Sequence, residues 1–167
     1  DGLDTLYDID RLRFSDGDVE IDTYYSNKAG DGAGNNILTG TENDDLIDGY
    51  GGDDTITGLS GDDILIGGDG DDVIDGGTGT NRLYGDADND TITSAGTNDY
   101  VDAGEGDNTI TISSDAIGGE FVSGSGTDVY HIEDGATSPS NLSSLKVQSG
   151  GGDDVINNDS FLYYRAR

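Results

Sequence analysis

The sequence predicts an all-β solenoid built from very short strands. An aliphatic residue stands at every ninth position, as Leu38, Ile47, Ile56, Leu65, Ile74, Leu83, Ile92, Val101 and Ile110. Neither an α-helix nor an alternating strand has a period of nine. A period that holds without a slip over residues 31–111 is instead typical of a solenoid, in which about six residues of each unit form a turn and about three form a strand.

The turn of each unit is marked by an Asp or Asn two residues before the aliphatic position, with glycines before it. These polar residues are Asn36, Asp45, Asp54, Asp63, Asp72, Asn81, Asp90, Asp99 and Asn108. A turn this tight requires positive φ, which glycine adopts without the penalty of a Cβ. Asn43 and Asp88 replace the fourth-position glycine, and Asn and Asp tolerate this region best. Thr97 does not, so we expect the turn at 94–99 to be distorted.

The unit GGDGDDVID at residues 67–75 resembles the RTX nonapeptide, G-G-x-G-x-D-x-U-x with U aliphatic. The resemblance covers residues 31–111 and returns at 123–131 and 149–157. It implies a right-handed parallel β-roll with two nonapeptides per coil and several calcium ions stacked along both edges. In this family a calcium ion lies between one turn and the turn two repeats further on, bound by sixth-position side chains and by carbonyls of the glycine stretch.

Carried over position by position, the resemblance implies two sets of calcium ligands. The side-chain set is Asn36, Asp45, Asp54, Asp63, Asp72, Asn81, Asp90, Asp99, Asn108, Asp128 and Asp154. The carbonyl set is Gly49, Gly52, Gly58, Gly61, Gly67, Gly68, Gly70 and Gly76. The best pairs of facing residues are Asp45 with Asp63, Asp54 with Asp72, and Asp72 with Asp90.

Electrostatics favours the same interpretation. Calcium takes six to eight oxygen ligands in flexible geometry, and coils stacked at roughly 4.8 Å would bring like carboxylates together. Composition alone, with a net charge of -29 and 29 glycines in 167 residues, also fits a solvated acidic surface or a disordered acidic tail. The unbroken period favours the roll. Because its core is thin, we expect the chain to be disordered without calcium and folded with it.

Residues 1–30 are predicted to form an N-terminal hairpin and capping segment. Residues 11–14 and 19–22 alternate polar and apolar side chains on either side of residues 15–18, which contain Asp-Gly, a hairpin signal. The stretch resembles a segment that often precedes RTX arrays in secreted bacterial proteins. A solenoid needs a cap on its first coil, so we assign that role to the hairpin and treat residues 26–35 as the lead-in.

Residues 112–167 are predicted to contain divergent repeats, a Ser-rich loop and a C-terminal cap. The interval at 112–122 is longer than one repeat and requires an insertion or a bulge. We further expect a core position at Tyr130, a loop over 134–144, a short strand at 145–147 and an aromatic cap at 161–164.

Several residues depart from the repeat pattern. An amide oxygen can bind calcium but carries no charge, so the two sites that share Asn81 are expected to be weaker. Arg82 places a cation beside that turn, as a regulatory feature or as a tolerated irregularity. Tyr84 and Tyr100 are expected to face outward, where they could form a sugar-stacking surface or simply favour β-structure.

The composition excludes several functions. The chain has no cysteine, and His131 is its only histidine, so thiol chemistry, an HExxH zinc site and a Ser-His-Asp triad are all excluded. We expect His131 to be exposed and the chain not to be an enzyme. The acidic charge excludes ordinary nucleic-acid binding, and no apolar run is long enough to span a membrane.

Two classes of function remain open at this point. The first is a calcium-binding structural module, a segment of a larger secreted protein that folds on calcium after export. The second is a module that binds an extracellular polysaccharide or a cell surface for an attached enzyme or adhesin. Binding an anionic glycan needs a basic stripe, and the seven Lys and Arg residues are scattered along the chain. The structural module is therefore favoured, at an extracellular or cell-surface location.

Overall fold

The computed structural model describes residues 11–14, 17–20, 26–30, 32–133 and 145–158, and these residues contain strands and turns but no helix. The strands are β1 (Arg11–Phe14), β2 (Gly17–Glu20), β3 (Ser26–Ala29), β4 (Ile37–Thr39), β5 (Asp45–Asp48), β6 (Thr55–Thr57), β7 (Ile64–Asp69), β8 (Val73–Asp75), β9 (Arg82–Ala87), β10 (Thr91–Ser94), β11 (Tyr100–Asp102), β12 (Thr109–Ile112), β13 (Gly119–Val122), β14 (Val129–Ile132), β15 (Leu145–Gln148) and β16 (Val155–Asn158). The predicted all-β class is confirmed.

Two parallel sheets form a roll. The first sheet holds the odd-numbered strands from β3 to β15, and the second holds the even-numbered strands from β4 to β16. Consecutive strands therefore alternate between the sheets. In the first sheet Ile47 pairs with Leu65 and Leu65 pairs with Leu83, so that each coil consumes two nonapeptides. The β-roll with two nonapeptides per coil is confirmed.

The core is a column of the periodic aliphatic side chains. From Ile47 to Ile110 every one of them is fully buried, and Leu38 packs against the cluster at its edge. Phe121 and Tyr130 continue the column, as predicted for Tyr130. Full burial of such a side chain contributes about 1.5–3 kcal/mol. Because each repeat contributes only one aliphatic side chain to the core, interactions in the turns must supply much of the free energy of folding.

The N-terminal hairpin is confirmed, with a shifted boundary. Strands β1 and β2 pair antiparallel, with Phe14 opposite Gly17. The second strand thus begins at Gly17, two residues before the predicted start. Its role as a cap stays a prediction. The lead-in prediction is wrong at β3, which pairs with β5 in the first sheet and places Lys28 opposite Ile47.

The roll continues beyond the regular array with longer coils. Tyr100 pairs with Glu120, which confirms the predicted insertion near residues 112–122, and Gly119 pairs with Leu145 across the long connection that follows. The strand predicted at 145–147 is present as β15. The predicted loop at 134–144 and the predicted aromatic cap at 161–164 lie outside the described residues.

Two positions of the turns adopt positive φ, although only the fourth was expected. In one turn these are Gly68 (φ 114°) and Gly70 (φ 122°). Non-glycine residues occupy the second position elsewhere, namely Tyr50 (φ 68°), Leu59 (φ 78°) and Asp86 (φ 74°). The repeat backbone thus imposes a left-handed conformation even on side chains that rarely adopt it.

The substituted fourth positions behave differently from one another. Asp88 has φ 75°, as expected, and in the turn at 94–99 the positive φ moves from Thr97 to Asn98 (φ 58°), which confirms the expected distortion. The expectation for Asn43 is wrong, because it is not among the described residues with positive φ. Its amide donates to the Thr41 hydroxyl, at 3.2 Å, which closes that turn in another way.

Candidate metal centre

The turns line the two edges of the roll. Edge A connects the first sheet to the second and carries the sixth-position residues Asn36, Asp54, Asp72, Asp90, Asn108, Asp128 and Asp154. Edge B connects the second sheet to the first and carries Asp45, Asp63, Asn81 and Asp99. Because like turns recur once per coil, the sixth-position side chains of each edge form one row.

These rows are buried. The relative exposure of Asp45, Asp54, Asp63, Asp72, Asn81, Asp90, Asp99, Asn108 and Asp128 is 0–1%. Ionisable side chains are almost never fully buried unless a partner compensates them. The burial of a whole row of carboxylates in a thin roll therefore requires a compensating group.

In most of these residues one carboxylate oxygen accepts a hydrogen bond from the backbone of the previous coil, whereas Asp45 accepts instead from the Thr41 amide of its own turn, at 2.6 Å. The amide of Asp45 donates to Oδ1 of Asp63 at 2.8 Å, that of Asp54 to Oδ1 of Asp72 at 2.7 Å, and that of Asp72 to Oδ1 of Asp90 at 2.9 Å. The same bond links Asp128 to Asp154 at 3.1 Å. The three pairs singled out from the sequence are thus in contact, through one carboxylate and one amide each.

The second carboxylate oxygen has no such partner. Within the described part of the chain no donor reaches the buried Oδ2 of Asp54, Asp63, Asp72, Asp90 or Asp128. A buried acceptor without a hydrogen bond costs about 1–3 kcal/mol, and a charged one costs more. Each of these turns therefore calls for a cation or a proton.

In the turns of Asp54, Asp63, Asp72 and Asp90, glycine at the first position brings a carbonyl next to the Oδ2 atom. A Cβ on Gly58 would collide with Oδ2 of Asp63 and lie 2.7 Å from the Gly76 carbonyl oxygen. A Cβ on Gly67 would collide with Oδ2 of Asp72 and lie 3.0 Å from the Gly85 carbonyl oxygen. Carboxylate and carbonyl oxygens thus surround the same small space, and they are the donor types that calcium prefers.

Six of the eight predicted carbonyl ligands fall into two places, and the carbonyls of Gly68 and Gly70 lie in neither. The carbonyls of Gly49, Gly58, Gly67 and Gly76 lie beside the first-position residue of the previous coil, next to sixth-position side chains. Those of Gly52 and Gly61 instead lie against the fourth-position glycines of the next coil, Gly70 and Gly79. The carbonyls of Gly85 and Ala103, which the glycine pattern did not single out, occupy the first kind of place. The ligand roles themselves stay predictions.

Side chains alone do not make the site. Among the described residues no group of three or more His, Cys, Asp or Glu side chains converges as a metal-binding cluster. Backbone carbonyls must therefore supply much of any coordination shell. Calcium accepts such ligands, whereas metals that favour imidazole or thiolate find none here.

Burial is the main influence on the acidity of these carboxyl groups. It raises the pKa of Asp63 and of Asp72 to about 6 and that of Asp90 to about 7. The amide bond from the previous coil lowers each pKa, and the carboxylates of neighbouring coils raise it again. Protons and cations therefore compete for the same oxygens.

The calcium-free roll is expected to be more stable at pH 5 than at pH 7.5. The folded-state pKa values of Asp63, Asp72 and Asp90 lie above the ordinary 3.8, so their favourable contribution is complete below that value and is lost as the pH rises through about 6 to 7. Far-UV circular dichroism in chelator should show more β-structure at pH 5. A loss of β-structure on acidification to pH 5 would contradict this.

Two of the three Asn turns are closed differently from the Asp turns. The side-chain amide nitrogen of Asn36 donates to the Gly34 carbonyl at 2.7 Å, and that of Asn108 donates to the Gly106 carbonyl at 3.3 Å. In Asn108 the amide oxygen accepts from the Asp90 amide at 2.8 Å. The Asn108 oxygen thus accepts the same bond from the previous coil as Oδ1 does in the Asp turns, and its role as a calcium ligand stays a prediction.

The outer faces of the strands carry the remaining residues of interest. Tyr84 and Tyr100 lie side by side outside the first sheet, with ring centroids 6.0 Å apart and a tilt of 54°. Arg82, which pairs with Tyr100 in register, is exposed. His131 is exposed, as predicted. None of these residues belongs to the rows at the two edges.

The family comparison agrees with this geometry. A family model described as the RTX calcium-binding nonapeptide repeat matches four copies, at residues 31–65, 49–83, 57–92 and 75–110. No curated protein and no solved structure matches the chain. The described residues also contain no helix that is long and apolar enough to cross a membrane.

Proposed function

We propose, because residues 31–110 belong to the RTX calcium-binding nonapeptide repeat family, that the chain is a calcium-binding structural module that folds when it meets calcium after export. The observation that carries this proposal is the row of buried Oδ2 atoms, which find no donor among the described residues. The fold creates these atoms at regular intervals, and the part of the chain that the structure describes offers them no hydrogen-bond donor.

The residues fit calcium on chemical grounds. On edge B, Oδ2 of Asp63 and the Gly76 carbonyl line one small space. On edge A, Oδ2 of Asp72 and the Gly85 carbonyl line an equivalent space. When bound, a calcium ion supplies two positive charges that offset facing carboxylates. The chain itself supplies the oxygens, holds each carboxylate by its Oδ1 bond and keeps the row away from water.

Folding and binding are coupled in this proposal. Without a cation the row places like charges about 4.8 Å apart in a buried position, and the aliphatic column is too thin to offset that repulsion. Binding free energy then acts as folding free energy, as in other small metal-dependent domains. A chain of this kind stays unfolded where calcium is scarce and becomes a roll outside the cell, as part of a larger secreted or surface protein.

Calcium should stabilise the roll and magnesium should not. Magnesium demands octahedral geometry and dehydrates reluctantly, whereas these turns offer irregular sets of carbonyl and carboxylate oxygens. Thermal unfolding followed by circular dichroism at equal concentrations of the two ions tests this. We expect a large rise in Tm with calcium and little with magnesium. Equal stabilisation by both ions would indicate simple screening of charge and contradict a calcium site.

Glycan binding is the second candidate function, supported by one observation. The adjacent rings of Tyr84 and Tyr100, with Arg82 exposed beside them, could stack on a sugar. The 54° tilt between the rings offers no flat platform, so the structural module remains the main proposal. Loss of polysaccharide binding in Tyr84→Ala and Tyr100→Ala, with calcium binding retained, would support the second function.

A further inference from the structure

We propose that the pair of edge B turns that ends in Asn81 and Asp99 takes no calcium ion, because protein groups already occupy the position that a cation would fill. This inference rests on the proposed function and concerns where along the roll the ions lie. This irregular pair of turns lies on edge B.

The Asp99 carboxylate is fully engaged by its own surroundings. Oδ1 accepts from the Asn81 amide at 2.8 Å, as in the other turns. Oδ2 accepts from the Ser94 hydroxyl at 2.6 Å and from the Gly96 amide at 3.1 Å. Ser94 is the first-position residue of this turn, which is glycine in the turns of Asp63, Asp72 and Asp90.

The contrast with the regular turns is direct. Oδ2 of Asp63, Asp72 and Asp90 is buried to the same degree as that of Asp99, yet no donor in the described residues reaches it. Two neutral donors satisfy the Asp99 oxygen with hydrogen bonds. This turn therefore does not need the cation that the regular turns call for.

Asn81 presents the wrong atom to a cation. Its Oδ1 accepts from the Asp63 amide at 3.0 Å, which leaves Nδ2 in the place of the carboxylate Oδ2. Nδ2 is buried and finds no acceptor within the described residues. Rotating the amide by half a turn would set Nδ2 against the Asp63 N–H, donor against donor. The amide oxygen therefore faces the previous coil, and a donor nitrogen lies where the Asp turns have a carboxylate oxygen.

The carbonyl beside this turn is also displaced. A Cβ on Gly76 would lie 3.0 Å from Leu83 Cδ1 and 3.3 Å from Asn81 Nδ2, and no carbonyl oxygen of the next coil is among its three nearest atoms. At Gly58 and Gly67 the next carbonyl oxygen is among those atoms. At Gly76 the mixed pair of carboxylate and carbonyl oxygens is thus missing, and the Gly79 carbonyl, which does lie near the Asp99 carboxylate beside Gly96, already accepts the Thr97 amide at 2.6 Å.

The test counts calcium ions per folded chain by equilibrium dialysis in saturating calcium. The decisive comparison is Asp99→Asn against Asp72→Asn, two changes of equal size that each remove one charge from a buried turn. Asp99→Asn is expected to bind as many ions as the wild type, and Asp72→Asn is expected to bind fewer. If Asp72→Asn does not fold, as judged by circular dichroism, Asp90→Asn takes its place.

A gain of binding provides the second arm. Asn81→Asp combined with Ser94→Gly restores the repeat consensus on both turns, and this double variant is expected to bind more calcium than the wild type. An Asp99→Asn variant that loses as many ions as Asp72→Asn overturns the inference. So does a double variant that folds and binds no additional ion. A wild-type chain that binds no calcium would instead overturn the proposed function, so the two failures are distinguishable.

Discussion

Asp72→Ala is expected to weaken the dependence of folding on calcium, and Asp99→Ala is expected to leave that dependence unchanged. Asp72 supplies a buried Oδ2 without a donor and accepts the Asp54 amide at 2.7 Å. Its loss removes a charge from the edge A row and leaves that amide unpaired. The free energy of folding rises with the logarithm of calcium concentration in proportion to the ions taken up. That slope, measured by denaturant unfolding at several calcium concentrations, should fall for Asp72→Ala.

Asp99→Ala controls for the loss of hydrogen bonds. Three donors lose their acceptor in this variant, namely the Asn81 amide, the Ser94 hydroxyl and the Gly96 amide. At about 0.5–1.5 kcal/mol for each bond, it should be less stable than the wild type at every calcium concentration, with an unchanged slope. Equal losses of slope in the two variants would show that the assignment of ions to turns is wrong.

Gly68→Ala is expected to lower the stability of the calcium-loaded roll sharply. Gly68 has φ 114°, and a Cβ there would collide with the backbone carbonyl of Tyr50 in the previous coil. Backbone strain of this kind costs about 1–3 kcal/mol, and the collision with backbone adds to that cost because neither strand can move without breaking the ladder. Thermal unfolding in saturating calcium should show a Tm well below that of the wild type.

Thr78→Ala provides the matched control for this change. Thr78 is an exposed third-position residue, and the variant places the same alanine side chain in a neighbouring turn. Surface substitutions away from special features usually change stability by less than about 0.5 kcal/mol. If Gly68→Ala melts at the same temperature as Thr78→Ala, the close approach of successive coils does not limit the sequence at the second position.

The period of nine predicted much of the fold because the residues that recur at this spacing are the buried residues of the core. Ile56 and Ile74, two repeats apart, fill the same place in successive coils of one sheet. The contact between Asp54 and Asp72 followed from the same arithmetic, once two repeats formed one coil. A pattern that the geometry repeats in every coil is visible in sequence without any knowledge of side-chain positions.

Features that break the pattern were less visible. Strand β3 was missed because Lys28 stands where the other strands of its sheet have an apolar residue. The left-handed conformation of Tyr50 and Leu59 was missed because the glycine that usually occupies the second position hides what the backbone requires there. The contact between Ser94 and Asp99 depends on how two side chains meet within one turn, which spacing alone does not specify.

The central claim is that calcium supplies the free energy that folds the roll. The most direct measurement follows bound calcium and far-UV circular dichroism in the same samples, from chelator upward through about 0.1–1 mM, the usual range for extracellular calcium modules. We predict a largely disordered chain in chelator at pH 7.5 and a cooperative gain of β-structure that coincides with calcium uptake. A chain with its full β-structure in chelator, unchanged as calcium binds, would contradict the account.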